Sequence, residues 1–173
     1  TERFDRVGNT KVHTQTLAAM NPLANSYEDL FDVACRIGIL PAELSQLFLL
    51  MTMNVLSGNI DDHNKNFSFM MATDGVWHIT PAYDFTFSVD TSAPGYINRH
   101  CMTINNKNAD IERADLLQIA KRYNIKGAES IINKAIEVVS NYAHYAQLAN
   151  IDEHWTNKIV EEISYRIGVL NVR

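Results

Sequence analysis

Cysteine is scarce in this sequence, which has only Cys35 and Cys101 among its 173 residues. The two lie far apart and form no Cys-x-x-Cys pair, so the common cysteine-based zinc and redox motifs are excluded. We expect both thiols to be buried and reduced, as in a protein of the cytosol.

Long apolar runs and an excess of positive charge are also missing. No stretch reaches the roughly 18 apolar residues of a membrane-spanning helix, and residues 1–10 do not form a signal peptide. We therefore predict a cytoplasmic protein with no membrane partner. Fifteen Lys and Arg stand against 20 Asp and Glu, for a net charge of -5. This balance argues against nonspecific nucleic-acid binding but leaves open contact through a partner.

The sequence has the length and composition of one folded domain. Hydrophobic residues make up 46% and charged residues 20%, and a chain of this length can bury about 70% of its unfolded surface. Apolar residues recur mainly at helical spacing, while short β-rich runs are confined to the middle. The predicted fold class is mainly α with a small β-hairpin.

Six helices are predicted from apolar spacing and end signals. Residues 14–20 suit a short helix, and Ser26 begins a capping-box-like start to the next. Pro41 suits the first turn of a third helix, which is apolar nearly all round and ends at Gly58. That helix should be central and buried. The remaining helices are predicted over 113–123, 128–148 and 152–170.

A β-hairpin is predicted over 67–72 and 76–80, because Asp74-Gly75 between two β-rich runs is a hairpin signal. Weaker signals predict the end of a strand at 3–4 before a turn at Gly8, a short strand at 101–104, and a turn at Pro94 within the non-periodic segment 86–100.

Polar residues crowd both ends of the hairpin. The entry "NIDDHNKNF" at 59–67 carries Asp61 and Asn66, and Asp84 follows the exit. A tight hairpin brings its ends together, so we expect these groups to converge. Asp-x-x-x-x-Asn is the interval of protein-kinase catalytic loops, in which a second Asp follows on a short hairpin. Asp84-Phe85-Thr86 stands where kinases usually have Asp-Phe-Gly.

These residue types suit phosphoryl transfer. Asp61 can accept the proton of a substrate hydroxyl, while Asn66 and Asp84 offer the hard oxygen ligands that Mg²⁺ prefers. Lys65 can offset charge on the transferred phosphate, and His63 can hydrogen-bond the loop or the catalytic Asp.

Any one of these residues alone is more often a turn residue than a catalytic one. Asp62 is interpreted as a solvated turn residue or a brace of the loop, and His63 is as suited to a structural hydrogen bond as to a functional one. A zinc site is disfavoured because no second His or Cys lies at ligand spacing. The joint pattern of spacing, hairpin and second Asp favours a catalytic loop.

"GNIDDHNKNFSFMM" followed by "WHITPAYDFTFS" resembles the C-terminal part of HipA-like serine/threonine kinases, the toxins of bacterial toxin–antitoxin pairs. The family pattern is Gly-Asn-x-Asp-Asp-His-x-Lys-Asn-Phe and then Leu-x-Pro-x-Tyr-Asp. "RFDR" at 3–6 is similar to the strand that links the two lobes, and 105–125 to the segment after the metal-binding Asp. The resemblance covers nearly the whole chain and implies the C-terminal lobe of a protein-kinase-like fold over 1–173, with 1–13 as the end of the inter-lobe hinge.

The resemblance implies that Asp61 is the catalytic base, that Asn66 and Asp84 bind magnesium and ATP, and that His63 and Lys65 support catalysis or contact phosphate. It also implies ATP-dependent phosphorylation of a protein Ser or Thr, for which the family's best-known target is an aminoacyl-tRNA synthetase, with growth arrest and persistence as the outcome. The implied partner is a helix-turn-helix antitoxin, through which DNA is contacted only indirectly.

The family's N-terminal lobe supplies a Gly-rich loop and a nucleotide-binding lysine, neither of which is found here, since Lys11 is in the wrong place. We expect the chain to require that lobe as a partner and to be inactive without it. Two alternatives stay open. One is a small-molecule phosphotransferase, although such enzymes usually have His where this chain has Asn59. The other is a non-catalytic module that binds an antitoxin or a separate N-terminal lobe.

Overall fold

Seven helices and five short strands form the regular structure of residues 3–92 and 98–171, which are the residues described by this computed structural model. The strands make one two-stranded and one three-stranded antiparallel sheet. The fold is mixed α/β with helix predominant, which confirms the prediction of a mainly helical chain with a hairpin. The small sheets contain more strands than the sequence indicated.

The predicted hairpin is confirmed as β4 (Ser68–Met71) and β5 (Trp77–Ile79). A third strand, β3 (His13–Thr16), pairs with β4, so the helix predicted over 14–20 is wrong in its first half. Two of the four β3 residues are β-branched threonines, and pairing with β4 satisfies their backbone groups. The Thr16 side chain then accepts a hydrogen bond from the start of α1 (Leu17–Met20).

A separate small hairpin opens the chain. β1 (Arg6–Val7) pairs with β2 (Thr10–Lys11) around Gly8, whose φ of 58° is in the left-handed region. The turn was predicted correctly, but the strand lies beyond the predicted residues 3–4. All four strand residues are exposed.

Two helices lead to the polar loop. α2 (Tyr27–Arg36) begins at Ser26 with both hydrogen bonds of a capping box, which confirms that prediction. α3 (Pro41–Ser57) has Pro41 in its first turn and ends at Gly58 in the left-handed conformation. Its side chains are buried along most of its length, and it packs against α2, β5 and two later helices. The prediction of a central helix is confirmed.

Four helices complete the fold: α4 (Arg113–Arg122), α5 (Ala128–Ser140), α6 (Tyr142–Leu148) and α7 (Glu153–Leu170). The helices predicted over 113–123 and 152–170 are confirmed, whereas that over 128–148 breaks at Asn141. There the Asn141 side-chain amide donates to the Glu137 carbonyl at 2.8 Å, the acceptor that the Asn141 backbone N–H would use in a continuous α-helix. The backbone N–H donates to the Val138 carbonyl. A side chain that competes for helix carbonyls favours the end of a helix. α5 and α7 pack against α3.

Some expectations fail. Residues 101–104 form single bridges, Ser26 with Thr103 and Ile104 with Lys107, rather than a strand. Cys35 and Cys101 are free but exposed, so the prediction that they are buried is wrong. The predicted turn at Pro94 lies outside the described residues.

Among the described helices, none combines the length and apolar character needed to cross a bilayer.

Candidate active site

The polar loop runs from the end of α3 to the start of β4, so a buried helix and a paired strand hold its two ends. Gly58 makes the turn out of the helix, and its N–H bonds the Asn54 carbonyl. Two adjacent aspartates then point in opposite directions: the Asp61 side chain is 59% exposed, and that of Asp62 is fully buried.

Asp62 is the brace of this loop. Its carboxylate accepts hydrogen bonds from the Tyr27 hydroxyl at 2.7 Å, from His100 Nδ1 at 2.8 Å, and from the backbone N–H groups of Cys101 and Met102 at 2.8 and 3.3 Å. Burial, and then the Asp62 charge, raise the Tyr27 pKa well above its usual range, so Tyr27 stays a donor. The interpretation of Asp62 as a solvated turn residue is wrong, because a buried carboxylate needs such donors.

The backbone around Asp61 is fixed from two sides. The Ser88 hydroxyl accepts hydrogen bonds from the N–H groups of Ile60 and Asp61 at 2.9 and 3.1 Å. Asn66 Nδ2 donates to the Asp61 carbonyl at 2.8 Å. The Asp61 side chain therefore projects into solvent from a backbone held by three hydrogen bonds, so a ligand can reach it.

Cys101 is the thiol neighbour of Asp61, with Sγ 3.7 Å from Oδ1. Cys101 is exposed as a residue, but the partial burial of its thiol raises the pKa of Cys101, and the charges of Asp62 and Asp61 raise it further. The thiol is therefore protonated at neutral pH and serves as a weak donor to the carboxylate.

The segment that carries Asp84 is tied to the same loop. The Tyr83 hydroxyl donates to the Lys65 carbonyl at 2.8 Å and also bonds the Ser68 hydroxyl. Burial raises the pKa of Tyr83. The hydrogen bond with Ser68 lowers this pKa, and the charge of Asp84 raises it, so the net shift is upward. With Ser88 bonded to the other end of the loop, the stretch 83–88 is held against the residues from 60 to 68.

Asp84 itself is exposed and has a φ of 53°, in the left-handed region. This conformation is uncommon for residues other than glycine and is found disproportionately at functional sites. The residues on either side of it, Tyr83 and Ser88, are hydrogen-bonded to the loop.

His63 and Lys65 lie within the loop with different surroundings. His63 Nε2 is 4.0 Å from Asp61 Oδ1, while its buried Nδ1 has no hydrogen-bond partner among the described residues. Lys65 is exposed, and its ammonium forms no ion pair with any residue that the structure describes. The exposed Lys65 ammonium is therefore available to a ligand, and His63 presents its Nε2 toward Asp61.

The oxygen atoms of Asn66 and Asp84 suit a magnesium ion. Because Asn66 Nδ2 is bonded to the Asp61 carbonyl, its Oδ1 remains to coordinate a cation. No group of three or more His, Cys, Asp or Glu side chains is arranged to hold a metal within 3–92 and 98–171. Magnesium at nucleotide sites needs only one or two protein ligands, since phosphates and water complete its shell. An amide oxygen and a carboxylate, as Asn66 and Asp84 offer, are of the type that fits that chemistry.

Four residues that organise the site were not found from the sequence. Tyr83 precedes Asp84 directly and could have been noticed as a conspicuous aromatic beside a candidate ligand. Ser88, His100 and Cys101 lie in or after a segment without periodicity, so no pattern connects them to Asp61 and Asp62.

Comparisons with known proteins give one family match and one likeness of fold. The family model described as "HipA-like C-terminal domain" matches residues 1–161. A chain in the solved complex of HipA, HipB and operator DNA from the Shewanella oneidensis MR-1 toxin–antitoxin system aligns with a TM-score of 0.65 and 16% identity. The alignment covers 99% of this chain and 50% of that chain, so this chain spans about half the length of its structural neighbour. No curated protein matches by sequence.

Proposed function

The chain belongs to the family of HipA-like C-terminal domains, and we propose that it is the catalytic lobe of an ATP- and Mg²⁺-dependent serine/threonine protein kinase of the HipA toxin type. One observation carries the proposal: the loop 61–66 and the segment 83–88 are joined by the hydrogen bonds of Tyr83 and Ser88. These bonds tie together the two backbone segments that carry the exposed residues Asp61 and Asp84, which supports the proposal.

Asp61 is assigned as the base. Its carboxylate is more than half exposed, so the hydroxyl of an acceptor Ser or Thr can approach and donate to it. The backbone bonds from Ser88 and Asn66 limit its movement during that approach. The weak thiol donor of Cys101 keeps one carboxylate oxygen oriented.

Asn66 and Asp84 are assigned as the residues that hold magnesium, and Lys65 as a contact to the transferred phosphate. MgATP supplies the phosphoryl group, which bonds to the acceptor oxygen as the proton passes to Asp61 and ADP leaves. His63 lies near enough to Asp61 to orient either the carboxylate or the acceptor.

The partners follow from the same proposal. The structural neighbour is a complex that contains HipB and operator DNA, which supports a helix-turn-helix antitoxin as a partner and DNA contact only through it. Because the chain spans half of that neighbour, we propose that an N-terminal lobe supplies the remaining nucleotide contacts and that the isolated chain is inactive. The proposed substrate is a cytoplasmic protein such as an aminoacyl-tRNA synthetase, with growth arrest and persistence as the outcome.

The small-molecule alternative is less well supported. Asn59, which stands where small-molecule phosphotransferases usually have His, is buried, and its Nδ2 donates to Asn54 Oδ1 at 3.0 Å. It is thus part of the core rather than of an acceptor site.

The test uses the protein carrying both lobes, with Asp61→Asn, Asp84→Asn and a control, Asp74→Asn, at the exposed hairpin tip. Transfer of labelled phosphate from ATP to protein should fall by at least about 100-fold in the first two variants and stay unchanged in the control. MgATP binding should weaken in Asp84→Asn but not in Asp61→Asn.

Undiminished protein phosphorylation by Asp61→Asn would contradict the assignment. Phosphate found on a small alcohol but never on protein would favour the small-molecule enzyme. Antitoxin binding without any MgATP binding, with the N-terminal lobe present, would favour the non-catalytic module.

A further inference from the structure

A second cavity lies apart from the candidate active site, between the segment 98–111, the end of α3 and the last turns of α7. Its volume is about 380 Å³, within the range of small-molecule sites. Neither Asp61, Asn66 nor Asp84 lines it. The side chains that matter are the polar ones on its wall: Arg99, His100, Asp110, Glu162, Tyr165 and Arg166.

Arg166 is the central cation of this cavity. Its side chain is only 12% exposed, and Nε donates to Glu162 Oε1 at 2.8 Å. Nη1 donates to the Val55 carbonyl at 3.2 Å and lies 3.4 Å from His100 Nε2. Nη2 makes no hydrogen bond to any residue of the described ranges, so it remains available to a ligand.

The acidic side chains of the cavity already have donors. Glu162 accepts from Arg166, and Asp110 accepts from the Tyr165 hydroxyl at 3.3 Å. The hydrogen-bond donor left over is Arg166 Nη2, while the second oxygen of each carboxylate also makes no hydrogen bond to a described residue. Guanidinium groups bind planar or tetrahedral oxyanions through paired N–H groups. The Nη2 group of Arg166 is thus suited to a carboxylate or phosphate that enters the cavity.

His100 connects this cavity to the catalytic loop. Its side chain is 4% exposed, and Nδ1 donates to Asp62 at 2.8 Å. With the proton on Nδ1, Nε2 is the acceptor that faces Arg166. The chain Arg166–His100–Asp62 thus ends one residue from Asp61.

We propose that this cavity binds a small oxyanion, a phosphate monoester or a carboxylate, through Arg166, and that binding changes the position of the Asp61 loop through His100 and Asp62. An oxyanion bound to Nη2 would draw the Arg166 guanidinium toward itself and weaken the contact between Nη1 and His100 Nε2. A shift of the His100 ring moves one of the four donors to the fully buried Asp62 carboxylate. The loop is held by Asp62, so it responds to that shift.

The test is a titration of the ¹⁵N-labelled protein with ribose 5-phosphate, citrate or inorganic phosphate at constant ionic strength, without ATP or magnesium. We expect saturable shifts of the Arg166 and His100 side-chain signals together with the backbone signals of Asp61 and Asp62. Saturation by ribose 5-phosphate or inorganic phosphate alone identifies a phosphate ligand, and saturation by citrate alone a carboxylate ligand. Shifts that merely follow added KCl would overturn the proposal.

Three variants locate the site. Arg166→Met should weaken binding about tenfold or more, since a charge-assisted hydrogen bond contributes roughly that factor. Arg166→Lys keeps the positive charge but loses the paired N–H groups of the guanidinium, so it should also bind the oxyanion more weakly. This variant serves as the measurement if Arg166→Met does not fold. Arg122→Met removes another carboxylate-paired arginine, on α4, and should bind normally. Equal binding by Arg166→Lys and the wild type, or equal loss in Arg122→Met, would contradict the assignment. Because the assay uses no nucleotide, its result is independent of the proposed kinase activity.

Discussion

At the residue scale, one peptide bond separates two aspartates with different tasks. Asp61 projects from a backbone fixed by Ser88 and Asn66, and Asp62 accepts four hydrogen bonds inside the core. The residue types alone do not distinguish them. The structure does, because only one of the two carboxylates can reach a substrate.

Asp62→Asn should lower the free energy of unfolding by about 2–4 kcal/mol, because the amide replaces one acceptor oxygen with a donor facing buried donors. Asp61→Asn is the matched control and should change stability by less than about 0.5 kcal/mol, as is usual for an exposed site. Urea unfolding followed by circular dichroism measures both. Equal losses in the two variants would mean that Asp62 is not the brace.

At the element scale, the sequence predicted what local signals determine. The capping box at Ser26, the first turn at Pro41 and the hairpin at Asp74-Gly75 all rest on neighbouring residues and are confirmed. The strand β3 was missed because its partner β4 lies about fifty residues away. Long-range pairing of this kind overrides local propensity and leaves no periodic signal.

The candidate site likewise contains residues that local sequence signals reveal and residues that they do not. The spacing from Asp61 to Asn66 and the position of Asp84 are visible in the sequence, because they belong to one loop and one hairpin. The contacts of His100 and Cys101 with the loop were not predictable, because the sequence that leads to them, residues 86–100, has no periodic pattern.

The end of α3 is sensitive to side-chain volume at Gly58. A Cβ added there would lie 2.9 Å from Val89 Cγ2 and 3.1 Å from the Phe87 ring, at a φ of +71°. Gly58→Ala should therefore destabilise the protein by about 1 kcal/mol for the left-handed backbone and by about 1–3 kcal/mol more for overpacking.

Gly38→Ala is the control, because Gly38 has a φ of +82° and no atom within 4 Å of the added Cβ. Thermal unfolding should show a clearly larger loss for Gly58→Ala than for Gly38→Ala. Similar losses would show that the segment 87–89 can move away without cost.

The start of α2 should make stability depend on pH through Asp29. Burial alone would raise the pKa of Asp29, but hydrogen bonds from Ser26 and from the backbone N–H groups of Asn25 and Ser26 outweigh it and lower the pKa below the usual 3.8. The stabilisation is therefore complete above about pH 4 and is lost as the pH falls through the lowered pKa.

The stability difference between the wild type and Asp29→Asn should accordingly shrink between pH 6 and pH 3, as measured by urea unfolding at each pH. A difference that stays constant over this range would contradict a capping role for the charged form of Asp29.

At the scale of the whole molecule, α3 is the element around which the others are arranged. It packs against α2, α5, α7 and β5, and its C-terminus leads directly into the candidate catalytic loop. The hairpin of β1 and β2 is at the opposite extreme, since all four of its strand residues are exposed.

Amide hydrogen exchange should reflect this arrangement. We expect the amides of α3 beyond its first turn to exchange most slowly, through global unfolding, and those of residues 6–11 to exchange first, through local opening. Mass spectrometry of peptic fragments measures both. Early exchange in α3 would show that it is not the centre of the cooperative unit.

The contrast in exposure between Asp61 and Asp62, 59% against 0%, also has a genetic consequence. A screen for loss of function would recover substitutions at both codons and give them the same phenotype. The cellular amount of protein would distinguish the two sets of mutants. Chaperones and proteases remove chains that have lost a few kcal/mol of folding stability, but they leave folded chains that have lost only activity. An immunoblot would therefore sort the mutants of one dipeptide into an abundant, inert class and a depleted class.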